Sequence, residues 1–239
     1  KRQITTWARA VLFHRIGESG MTQDLIKGFK DFKKHHYSSD QSLMPALYNK
    51  GQDPKYFIIS CIDSRCHPAT LFQAQPGTFF AHKVMGAIVP PYKQGTALAA
   101  ALQFALNYNN VDTIIILGHT QCGAVKALVN NLDDSEITSF VQIARQAQDK
   151  VEHCCHSPDE IIRHTEQEII LHSADNLKKY PSVTKALDEK RAVIKKWQFD
   201  MKTGDVLEYS ESTKSFENIS NQTDNDIEKA KEEHHAQKN

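Results

Sequence analysis

The sequence has no excess of charge of either sign: 29 Lys and Arg face 29 Asp and Glu, for a formal net charge of zero. That balance supplies no electrostatic footprint for nucleic acid or an anionic membrane, and favours a small ligand that is neutral or singly charged. Long apolar runs are missing as well. No stretch approaches the roughly 20 residues of a membrane span, and the start lacks the apolar core of a secretory signal, so a soluble chain without a membrane segment is expected. Cysteine is sparse and odd in number. Cys61, Cys66, Cys122, Cys154 and Cys155 make a poor disulfide framework and point to a cytoplasmic or other reducing compartment with metal or thiol chemistry. There is no internal repeat.

What is present reads as α/β. Tyr56 to Ser60 (YFIIS) and Thr113 to Leu117 (TIIIL) are short apolar runs rich in β-branched or aromatic residues, as expected of strands buried on both faces of a parallel sheet. Phe79 to Lys83 is a weaker third strand. Residues 94–109, rich in Ala and Leu, supply the crossover helix that parallel strands need. Helices are expected over 123–131, 136–152, 158–179 and 181–189, followed by a hairpin within residues 193–210 that turns at Lys202 to Asp205. The expected fold is thus a central, mostly parallel sheet flanked by helices, with a C-terminal strand pair. Two amphipathic patterns, 3–16 and 21–36, are parted by the Gly17 to Gly20 break and form an N-terminal helical arm over 1–36. Residues 37–210 make the α/β domain. Residues 211–239, nearly devoid of aromatics, read as a charged tail.

The chemistry concentrates in two loops. CIDSRCHP, residues 61–68, leaves the first buried strand, and GHTQCG, residues 118–123, leaves the second. Ligands of open α/β sheets bind beyond the carboxyl ends of the strands, so Cys61, His119 and Cys122 can converge there. Two cysteines and a histidine form one of the ligand sets of catalytic zinc, which keeps a fourth position for a reactant. Two thiolates formally cancel the Zn²⁺ charge, so bound water needs help to ionise near neutral pH. Asp63 can either accept a hydrogen bond from that water or swing in as the fourth ligand and close the site, and Arg65 can hold the carboxylate outward in a bidentate pair, so the two decide between an open and a blocked metal. Gly118 and Gly123 flank the second loop, where backbone must approach a ligand closely.

These motifs, C-x-D-x-R and, 58 residues after its cysteine, H-x-x-C-G, resemble those of the β-class carbonic anhydrases. The likeness runs from about Gly51 to Tyr209 through QPGTFF, IVPPY, GHTQCGAVKAL, SADNLKKYP and WQFDMKTG. It implies one Zn²⁺ per chain on Cys61, His119 and Cys122, a catalytic pair of Asp63 and Arg65, and reversible hydration of CO2 to bicarbonate. It also implies a homodimer or dimer of dimers whose N-terminal helices embrace a partner subunit. In plant-like members a glutamine nine residues before the first ligand cysteine helps bind substrate, which is Gln52 here, and the apolar wall matches at Phe80. Gly123, which flanks the second loop, is expected with Gln52 and Phe80 among the substrate-binding residues.

This chain departs from the family after that phenylalanine. Where members carry Arg-Asn, a small residue and another Asn, it reads HKVMGAIVPP: Lys83 keeps the charge, Val84 and Ala87 remove both amides, and Met85 changes the wall. Phe104 replaces a tyrosine. A more apolar pocket leaves open the hydrolysis of a CO2 analogue such as carbonyl sulfide, and a non-catalytic bicarbonate-sensing module is a reading from another class. Cys66 and His67 read as the start of the next helix, which opens at Pro68. The adjacent cysteines of HCCH, 153–156, point about 100° apart on a helix and suit one tetrahedral ion poorly. His14, His67 and His82 are candidates to relay the product proton.

Overall fold

The structure, a computed structural model, describes residues 22–152 and 157–221. The expected helix at 3–16, His14 and the HCCH stretch lie outside the described residues. The chain divides into two compact units, residues 1–52 and 53–239. In the first, α1 (Gln23–His36) occupies the second amphipathic pattern, with Leu25, Ile26 and Phe29 exposed, and α2 (Leu43–Lys50) follows.

The second unit is built on a six-stranded sheet in the order β2-β1-β3-β4-β5-β6. Its strands are β1 (Tyr56–Ser60), β2 (Phe79–Lys83), β3 (Thr113–His119), β4 (Val193–Phe199), β5 (Val206–Ser210) and β6 (Ser215–Asn218). The first four run parallel, and β5 and β6 join antiparallel. Ser215 to Asn218 therefore belongs to the sheet, which corrects the reading of everything after Glu211 as tail. Only Phe216 is apolar in that strand, and its ring meets Tyr209 edge-on at 5.4 Å.

Between the strands run α3 (Pro68–Leu71), α4 (Thr96–Tyr108), α5 (Gly123–Val129), α6 (Ser135–Val141), α7 (Arg145–Glu152), α8 (Pro158–Leu177) and α9 (Pro181–Asp188). The span expected as one helix at 136–152 is α6 and α7 joined by a tighter 3-10 turn, Gln142–Ala144, with helical backbone angles on both sides. Residue alternation sorts each strand between two cores. Phe57, Ile59, Ile114 and Ile116 pack with Leu102, Leu106, Ile170 and Leu177 from α4 and α8. Ile58, Ile115 and Leu117 face the other way, toward Phe72 and Trp197.

At the carboxyl ends of β1 and β3 a separate apolar cluster forms around Cys61, Cys66 and Cys122, with Ile88, Val125, Leu128 and Ile169. α8 covers this end of the sheet. It starts on a capping box, Glu160 N–H to Ser157 Oγ at 3.3 Å and Ser157 N–H to Glu160 Oε2 at 3.2 Å, with Pro158 in its first turn. It can lie close because residue 118 is glycine: a Cβ there would meet Ile170 Cδ1 at 2.7 Å. The expected use of Gly118, approach of backbone to a ligand, gives way to approach of a helix.

Candidate metal centre

Cys61 is the residue after β1, His119 the last of β3, and Cys122 the N-cap of α5. β1 and β3 are parallel neighbours, so their ends lie side by side. The ligand atoms of Cys61, His119 and Cys122 come within 4.8 Å of one another, and all three residues are buried. The two sulfurs are 3.9 Å apart. His119 Nδ1 lies 2.9 Å from the Thr120 carbonyl, which can only accept, so Nδ1 carries the proton and Nε2 presents its lone pair. That Nε2 is buried without a hydrogen-bond partner. A buried, unpartnered imidazole nitrogen beside two thiols is costly unless it binds something, and a borderline-soft ion such as zinc suits this donor set.

Charge in the cluster is unequally shared. A hydrogen bond from the Cys122 thiol pulls the Cys61 thiol far below its ordinary range. The Cys122 thiol is pushed up by donating to Cys61 and by burial. Gly86 N–H adds a 3.3 Å bond to Cys61 Sγ. Gly86 adopts φ 63°, where glycine is at ease, and a Cβ would press on Ile88 and Ala124 at 3.2–3.3 Å. Thr120 ties the loop to β4: its N–H reaches the Phe199 carbonyl at 2.9 Å, and Met201 N–H reaches its Oγ1 at 2.9 Å.

Asp63 stands beside the cluster and is not one of its members. Its Oδ1 accepts from the Arg65 backbone N–H at 2.9 Å and from Nε at 3.0 Å, and its Oδ2 accepts from an Arg65 terminal nitrogen at 2.8 Å. These bonds from Arg65 hold the carboxyl below the usual carboxylate range. Oδ2 lies 4.0 Å from His119 Nε2, so the carboxylate borders the place where the donors meet. Gly123 opens α5 next to Cys122, and a Cβ there would meet nothing within 4 Å.

Phe80 is not brought to the cluster within one chain. It pairs in register with Phe57, four residues ahead of Cys61, and its ring packs edge-on to Phe104 at 5.9 Å on the α4 side. Gln52 is exposed at the end of the first unit. Cys66 is fully buried and its thiol points at the Asp63 carbonyl, 3.5 Å away, outside the donor set. His67 is exposed at the N-cap of α3, and His82, half-buried on β2, has its imidazole pulled down by burial. Two functional groups had no signal in the motifs: Gly86, whose amide points at a ligand sulfur, and Glu166 of α8, whose Oε1 accepts the Cys122 N–H at 2.9 Å. Burial pushes the Glu166 carboxyl up to about 7.

Three protein donors without a fourth, among the described residues, separate this site from structural zinc sites and place it with metalloproteins that keep a coordination position for a reactant. Over residues 56–206 the sequence matches the carbonic anhydrase family. It is 31% identical to the chloroplastic β carbonic anhydrase 5 of Arabidopsis thaliana over 74% of this chain, although the match spans only 61% of that relative's length. It is 28% identical to a carbonic anhydrase of Synechococcus elongatus over 79% of this chain and 72% of that protein. The fold superposes on the solved β-carbonic anhydrase CcaA with a TM-score of 0.75 and 28% identity, covering 82% of this chain and 98% of that one. The chain belongs to the carbonic anhydrase family, in its β class.

Proposed function

We propose that this chain catalyses the reversible hydration of CO2 to bicarbonate and a proton, with one zinc ion held by Cys61, His119 and Cys122. The observation that carries the reading is the unpartnered, buried His119 Nε2 set between two thiols and next to a carboxylate fixed by arginine. Zinc supplies Lewis acidity, which makes water nucleophilic enough near neutral pH to add to CO2. The protein's part is orientation. Asp63, kept ionised by Arg65, accepts a hydrogen bond from the reacting water and turns its lone pair toward CO2. Thr120, through its carbonyl, holds the His119 tautomer that leaves Nε2 available. Gly123 leaves room beside Cys122 for a small substrate. The product proton then passes to solvent, for which exposed His67 and half-buried His82 are candidates.

Gln52 and Phe80 are assigned to substrate by the family likeness. Phe80 sits on the edge strand β2 with Phe104, 53% exposed, and Tyr108, 73% exposed, stacked beside it. An exposed aromatic patch of that kind favours a homodimer or a dimer of dimers, in which Phe80 and Phe104 meet a second copy. Sedimentation at micromolar concentration tests this: a chain that remains monomeric removes the proposed role of Phe80 in a shared site.

Stopped-flow assays on zinc-quantified protein, with CO2 and carbonyl sulfide in parallel, test the reaction. A CO2 hydration rate far above buffer supports the proposal. Turnover of carbonyl sulfide alone would make the chain a hydrolase, and zinc occupancy without turnover of either gas would make it a sensing module.

A further inference from the structure

We infer that Glu166 is a positioning residue for the third metal ligand: its carboxyl oxygen takes the Cys122 amide hydrogen and thereby fixes the turn that aims the Cys122 thiol at the donor cluster. The inference rests on the zinc reading above and adds to it a residue 44 positions from the ligand it serves.

The turn needs such a tie. Between His119 and Cys122 the backbone must reverse sharply enough for Nε2 and Sγ to converge, and Gln121 does so with φ 59°, a left-handed conformation that an L-residue keeps only where its surroundings hold it. Cys122 then caps α5, and an N-cap amide has no partner inside its own helix. With Cys122 only 2% exposed, water does not serve that amide either. Glu166, 4% exposed, does, at 2.9 Å.

Glu166 reaches the turn because α8 lies deep against the end of β3. Ile170, one helical turn further on the same face of α8, occupies the space that a side chain at Gly118 would fill. Thus one glycine before the first ligand of the loop sets the helix depth, and the helix returns an acceptor to the last ligand. Charged or protonated, the carboxyl still offers Oε1 as acceptor, so the assignment depends on where the oxygen is and not on its charge. That separates it from an electrostatic role, and the two roles order the variants oppositely.

The test measures the zinc dissociation constant of metal-free protein by chelator competition under reducing conditions, for wild type and for Glu166→Gln, Glu166→Asp and Glu166→Ala. Glu166→Gln keeps an oxygen at the same reach without charge, and should bind zinc within about threefold of wild type. Glu166→Asp keeps charge but withdraws the oxygen by one methylene, and Glu166→Ala removes it. Both should bind about 10- to 100-fold more weakly, the range for lost outer hydrogen bonds at metal sites. Cobalt(II) loaded in place of zinc gives a second readout: its thiolate absorption should match wild type in Glu166→Gln and change in Glu166→Asp. A folded Glu166→Ala with wild-type affinity overturns the assignment. So does Glu166→Asp binding at least as well as Glu166→Gln, and that comparison decides the matter if Glu166→Ala does not fold. A wild-type chain that binds no zinc overturns the zinc reading itself, and the assignment with it; one zinc per wild-type chain with equal variants overturns the assignment alone.

Discussion

Asp63 receives three hydrogen bonds from a single residue, Arg65, and this sets its lone pairs before any reactant arrives. Its substitution therefore separates binding from turnover. Asp63→Asn should keep one zinc per chain by metal analysis while CO2 hydration falls by about 100-fold or more, the scale of a lost general base. Equal hydration by the variant would remove Asp63 from the mechanism. Cys122→Ser, by contrast, replaces a thiolate ligand with a poor one and should lose zinc and hydration together, as should treatment of wild type with a strong chelator. The five residues proposed to carry this chemistry, Cys61, Asp63, Arg65, His119 and Cys122, could be singled out in the sequence because each falls at or shortly beyond the end of a strand that its own β-branched neighbours announce. Glu166 and Gly86 could not, because their roles arise only after α8 and the turn following β2 fold back on the loops. Cys66 reads from the sequence as part of the next turn and not as a ligand, and it stands outside the donor set. Its thiol is spent on the Asp63 carbonyl because a 3-10 turn, Ser64–Cys66, rotates it away from the donor set.

Elements follow the same division between local and tertiary causes. β1 and β3 were legible as runs of apolar residues with no competing period, whereas β6 has one apolar side chain and exists through pairing with β5. α9 ends in a hydrogen-bond pattern that glycine usually serves: Arg191 N–H reaches the Ala186 carbonyl at 2.8 Å, Lys190 N–H reaches the Leu187 carbonyl at 3.0 Å, and Lys190 adopts φ 53°. Relieving that left-handed lysine is worth more than the entropy glycine adds to the unfolded chain. Lys190→Gly should raise stability by about 0.5–1 kcal/mol in urea titrations, and a lower midpoint would contradict the reading of this helix end. Before α4 the reverse holds. A Cβ on Gly95 would sit 2.0 Å from the Tyr180 hydroxyl, which donates to the Pro90 carbonyl at 2.9 Å. Gly95→Ala should destabilise by about 1–3 kcal/mol through overpacking and loss of that bond, with an unchanged midpoint counting against the packing.

Across the whole molecule, the sheet order puts both ligand-bearing ends at its parallel centre, in a layer closed by α5 and α8, so zinc retention and integrity of the second unit are linked. The same core holds a pH limit. Tyr180 is fully buried, and burial pushes its phenol up to about 12. A folded-state pKa above the ordinary value of about 10 means that the folded chain holds this proton more tightly than the unfolded one. The stabilisation is complete below about pH 10 and is lost as pH rises toward 12. Urea midpoints compared between pH 9 and pH 11 should fall more for wild type than for Tyr180→Phe; equal falls would place the alkaline limit elsewhere. The claim on which everything else depends is that a three-donor zinc site turns over CO2, and a zinc titration of metal-free chain with hydration followed by stopped flow tests it most directly. Hydration should rise in proportion to added zinc and level off at one ion per chain. A fully loaded chain that hydrates CO2 no faster than buffer would contradict it.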